Sequence, residues 1–99
     1  MKAEKLTLFA TIIAKPESRE LVKSELFKLI EPTRAEEGCL NYDLHQDNKD
    51  ENIFYFHENW ANYDVWKNGH MPSAHIAAYI AATEGHLIEF SVKEITQIG

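Results

Sequence analysis

The chain has 99 residues, 44% hydrophobic and 26% charged, the proportions of an ordinary globular protein that folds as one domain over residues 1–99. Its net charge is −6, with ten Lys and Arg scattered from Lys2 to Lys93, which argues against nucleic acid or an anionic membrane surface as partner. The single cysteine, Cys39, excludes an internal disulfide and a thiolate zinc cluster, and with no signal core at Met1–Leu6 and no 18-residue apolar run the expectation is a cytoplasmic protein without a membrane span.

Leu6 to Ala14 reads as a strand rich in β-branched residues, with neither face strongly polar. Pro16, Glu17 and Ser18 then open a helix, with Ser18 as N-cap and acidic residues suited to the helix dipole. Val22, Leu26, Leu29, Ile30 and Thr33 form one packed face, Pro32 weakens the last turns, and Gly38 is the stop. Cys39 to Gln46 alternates as a second strand, Leu40, Tyr42 and Leu44 opposite Asn41, Asp43 and His45. The polar run Asp47–Asn52 is a hairpin loop. Ile53 to Trp60 is the third strand, with Phe54, Phe56, Glu58 and Trp60 on one face and Ile53, Tyr55, His57 and Asn59 on the other. Ala61 to Asn68 is expected as a short helix, Gly69 to Pro72 as a break, and Ser73 to Thr83 as a second helix ended by Gly85. His86 to Ile98 is the closing strand.

The order β-α-β-β-α-β is the split βαβ pattern: an α+β, ferredoxin-like fold with an antiparallel sheet and its helices on one face. Strands one and three are apolar on both faces, and no element is left over to cover the second. The cheapest cover is the sheet of a second copy, so a homodimer is expected.

Four of the five histidines fall in or after the third strand. His70 and His75 are five apart, which on a regular helix separates their side chains and gives no ligand pairing for a metal. Pro72 breaks that helix and opens the alternative that both rings turn toward one cavity; otherwise both are partly exposed loop histidines. Glu58 on an otherwise aromatic face needs a partner or a proton, and His70 is a possible partner. Trp66, Tyr63 and Tyr79 are candidates for an aromatic cavity or for plain packing. Cys39 reads as a small buried apolar group rather than a nucleophile. No phosphate loop, hydrolase triad or zinc-hydrolase motif is present.

Glu37-Gly38-Cys39-Leu40-Asn41-Tyr42, Phe56-His57-Glu58-Asn59-Trp60, the positions His70, Ser73 and His75, and Ala81-Ala82-Thr83-Glu84-Gly85 together resemble the antibiotic-biosynthesis monooxygenase family, especially its quinol monooxygenase-like members. The resemblance covers almost the whole chain, except that the stretch from Trp60 to His70 is one residue longer than usual, at Gly69. It implies a dimeric α+β barrel and oxygen chemistry with no metal and no other cofactor. A quinol or phenolic polycycle is then its own electron donor to O₂, and the protein supplies a base and a dry aromatic pocket.

On that resemblance His70 is the base or proton relay, Glu58 its orienter, and Trp60 and Trp66 the pocket walls, with His75, Tyr42, Phe9 and Phe56 as further substrate-lining residues. Histidine suits the base because its pKa lies near neutrality; His57 is the next candidate if the third strand faces the other way. Two alternatives stand beside this one. A haem-degrading monooxygenase on the same fold uses an Asn in the first strand, and residues 1–14 contain none, although Trp66 and His75 are tolerable counterparts of its Trp and haem-ligating His. A non-catalytic small-molecule-binding or stress-response barrel would carry nearly the same sequence.

Overall fold

The computed structural model describes residues 5–99; the extreme amino terminus, part of the stretch read above for a signal segment, lies outside the described residues. Four strands, β1 (Leu6–Ala14), β2 (Cys39–Gln46), β3 (Ile53–Trp60) and β4 (Leu87–Ile95), form one sheet in the order β2-β3-β1-β4. Every neighbouring pair is antiparallel. Helices α1 (Arg19–Arg34) and α2 (Ala74–Thr83) pack on the same face, which makes the fold ferredoxin-like α+β. Among the described residues no helix is long and apolar enough to cross a membrane.

Period-two alternation decides which side chains meet the helices. Leu6, Leu8, Ala10, Ile12 and Ala14 of β1 are buried there, with Phe54, Phe56, Glu58 and Trp60 of β3 beside them. From α1, Val22, Leu26, Leu29 and Thr33 close the core, the face expected from their spacing. The opposite face of the sheet is less apolar than expected. Thr7 donates to Asn59 and Asn59 to Asn41, a polar row across three strands, beside the stacked rings of Phe9 and Tyr55.

Three local features differ from the sequence expectation. A short 3₁₀ turn, Pro16–Ser18, precedes α1, and Ser18 makes no cap; its Oγ lies 2.8 Å from His86 Nδ1 and ties the helix start to the start of β4. Gly38 does stop the chain, at φ 86°, but α1 has already ended at Arg34. Between β3 and α2, Val65–His70 is a π-helix rather than an α-helix, and Met71 N bonds Trp66 O at 3.0 Å across five residues. One extra residue in a helix is absorbed by such a wider turn. The π-helix ends with His70 held inward, 3% exposed.

Candidate active site

Between the helices and the sheet lies a mostly apolar cavity of about 460 Å³. Tyr42, Phe56 and Glu58 form its inner floor, and Trp66 and His70 of the π-helix wall that end. Leu26 and Leu29 of α1, with Ile76 and Tyr79 of α2, form the roof. Tyr42 stacks on Phe56 with ring centres 4.1 Å apart, and its edge meets the His70 ring at 5.5 Å.

His70 is oriented by a residue that local sequence did not single out. Its Nδ1 donates to Glu36 Oε2 at 2.8 Å, and His75 Nε2 donates to the same oxygen at 2.5 Å. The helix break at Pro72 thus brings both rings together, 5.9 Å between centres. With its Nδ1 proton on Glu36, His70 carries its lone pair on Nε2, the nitrogen with no protein partner among the described residues. Burial lowers the His70 pKa below the ordinary histidine value, Glu36 opposes this, and the neighbouring His75 adds to it. The ring is a neutral base at pH 7.

Glu58 is not the orienter of His70. Its Oε1 accepts the Trp60 indole N–H at 2.9 Å, two residues along the same strand face, and Glu36 occupies His70 Nδ1. Glu58 lines the cavity in its own right. Burial pushes its pKa up to about 7, the indole bond resists, and the Glu36 charge adds to the rise. Its second oxygen is free to meet a ligand.

Other expected site residues sort by strand face. Trp66, Tyr42 and Phe56 line the cavity, as expected. Trp60 does not: it is fully buried behind the floor, its ring 4.8 Å from that of His70. Phe9 is one residue out of phase with Leu8 and Ala10, so it points to the opposite face of the sheet. His57 pairs with Phe9 on that same face, which removes it as a base for this cavity. His75 is held outside the lining, behind Glu36. Cys39 is half-buried, and burial, with the charges of Glu36 and Glu58, pushes its thiol up to about 11, as suits an inert group.

Glu36, His70 and His75 each offer one ligand atom, all within 4.8 Å of one another, so two His and one carboxylate do converge here despite their sequence spacing. In the arrangement present, Glu36 Oε2 itself occupies the point on which both ring nitrogens converge, at hydrogen-bond distance. That is a carboxylate fixing two imidazoles.

Comparisons with known proteins agree with this architecture. The family model described as antibiotic biosynthesis monooxygenase matches residues 6–82. YcnE of Bacillus subtilis is 38% identical over 76 residues, which is 77% of this chain and 79% of that protein. The crystal structure of PA3566 from Pseudomonas aeruginosa superposes with a TM-score of 0.91 at 35% identity, covering 100% of this chain and 99% of that one. A crystal structure of an antibiotic biosynthesis monooxygenase gives 0.87 at 28% identity, covering 95% and 99%. With a family match over most of its length and a buried histidine lining a mostly apolar cavity, the chain belongs to the antibiotic biosynthesis monooxygenase family.

Proposed function

We propose that the protein is a cofactor-independent monooxygenase that oxidises a quinol or phenolic polycycle with O₂, working as a homodimer. The observation that carries this reading is His70: a buried, neutral imidazole, its tautomer fixed by Glu36, lining an apolar cavity. His70 Nε2 takes a hydroxyl proton of the substrate. The resulting phenolate, held where little water competes, passes an electron to O₂. The superoxide and substrate radical combine at a ring carbon, and the O–O bond then breaks. One oxygen stays on the ring and the other leaves as water, all four electrons coming from the substrate. Glu58, protonated below about pH 7, donates a hydrogen bond to a second substrate oxygen. Once ionised, it disfavours a phenolate beside it. The haem-degrading alternative is weakened because His75, its candidate iron ligand, is committed to Glu36 outside the cavity lining.

Oxygen-electrode measurements of purified, chelator-treated protein against a panel of quinols and hydroxylated polycycles test the reading. Uptake on at least one is expected, and none across the panel would sink it. His70→Ala should lower kcat by roughly 10²–10⁴-fold, the usual worth of a positioned general base. The wild-type rate should rise with pH through an ionisation below the ordinary histidine range and fall again near pH 7 as Glu58 ionises. Glu36→Gln removes the charge that supports the imidazolium, so it should lower kcat more than it changes KM and move the acid limb to lower pH. An acid limb that stays in place would remove Glu36 from this role.

A further inference from the structure

The cavity changes character along its length. At the inner end stand two buried titratable groups, Glu58 at 5% and His70 at 3% exposed, whereas Glu84, at the carboxyl end of α2, lines the cavity from an exposed position. From the inner end the floor crosses Ala10 and Ile12 of β1 to Val92 and Phe90 on the edge strand β4, along the registers Phe56–Ala10–Val92 and Phe54–Ile12–Phe90. The crossing from β3 to β4 is two strand spacings, about 10 Å. Ala10 keeps this trough open, since a small side chain stands there between Phe56 and Val92. At the outer end the large side chains are apolar and wet: Phe90 is 53%, Val92 37% and Ile80 58% exposed, and all three line the same cavity.

Apolar side chains that are continuous with a ligand cavity and exposed at its rim gain free energy when the ligand covers them. A compact hydroxylated ring seated at Glu58 and His70 leaves them bare. We propose that the substrate is an amphipathic quinol: a hydroxylated ring bearing an apolar tail, ring inward and tail laid over Ala10 and Ile12 onto Phe90, Val92 and Ile80. This rests on the quinol reading above and adds the tail to it.

Binding of 2-alkyl-1,4-naphthoquinones with methyl, butyl, hexyl and octyl chains, followed by quenching of tryptophan fluorescence, tests the tail without turnover. Trp66 lines the cavity and reports occupancy. Kd should fall by about fourfold for each methylene that reaches the trough and level off once the chain passes β4. In the Phe90→Ser/Val92→Ser double variant the fall per methylene should be at most half as steep on a logarithmic scale. Should that variant not fold, Ile80→Ser, on the exposed side of α2, takes the same measurement. Equal Kd values along the series, or an unchanged slope in the variant, would overturn the tail and leave the oxygen-uptake test of His70 untouched. No binding by any member would count against the quinol reading itself, and the tail would go with it.

Discussion

At the scale of single residues, two carboxylates near one histidine carry different duties because their surroundings differ. Glu36 touches both imidazoles, while Glu58 accepts a single indole N–H and is otherwise held by burial. Burial holds the Glu58 pKa near 7, against about 4.3 for a free glutamate. Between those values the folded chain binds a proton that the unfolded chain has lost, so stability falls as pH rises through this window. Above it the penalty is constant, roughly 3 kcal/mol. Glu58→Gln keeps the acceptor for Trp60 and carries no charge. It should therefore stabilise the protein by up to roughly 3 kcal/mol at pH 8 and by little at pH 4. Urea titrations of both proteins at the two pH values measure this, and an equal difference at both would mean that Glu58 is not forced to ionise in a dry site. Glu58 itself was legible in the sequence, since a lone carboxylate on an aromatic strand face must find a partner or a proton. The carboxylate that holds His70 was not. Glu36 meets rings 34 and 39 residues further on, and only the fold states such a distance. Phe9 went astray for a simpler reason: with both faces of β1 apolar, alternation alone does not say which one turns to the helices.

At the scale of elements, the first three strands were legible to their ends because alternation and turn residues bound them on both sides. The π-helix was not, because helical periodicity assumes 3.6 residues per turn. Two glycines show how this segment is held. Gly38, at φ 86°, lies against Val65 at the start of the π-helix, and a Cβ there would come within 2.7 Å of Val65 Cγ2. Gly69, inside the π-helix, has nothing within 4 Å of that position. The same substitution should therefore act in opposite directions. Gly69→Ala should stabilise by about 0.5–1 kcal/mol through the loss of backbone freedom in the unfolded chain. Gly38→Ala should cost at least about 1–3 kcal/mol, from the left-handed backbone alone, and should also lower activity by pushing Val65 and the turn that carries His70. Thermal melts of the two variants with matched oxygen uptake are the check. A Gly38→Ala protein as stable and active as the parent would show that Val65 does not transmit to the site.

At the scale of the whole molecule, the helices cover one face of the sheet and leave the other open. That face is mixed: Phe9 stacks on Tyr55 with ring centres 5.3 Å apart, while Thr7, Asn59 and Asn41 satisfy one another in a row. A polar row already bonded within its own sheet needs few new partners when a second sheet covers it, and the aromatic pair supplies apolar area to bury. The two halves together also constrain alignment, because apolar rings set against the polar row of a partner would leave its amides poorly solvated. A homodimer with sheets packed face to face is thus expected, burying on the order of 2,000 Å² in total. Light scattering at micromolar concentration should give twice the 11.4 kDa of one chain. Phe9→Asp, which places a charge at the centre of that face without touching the cavity, should shift the equilibrium toward the single chain. A wild-type mass of 11.4 kDa would defeat the expectation, and the bare sheet face would then have to be stable in water as it stands.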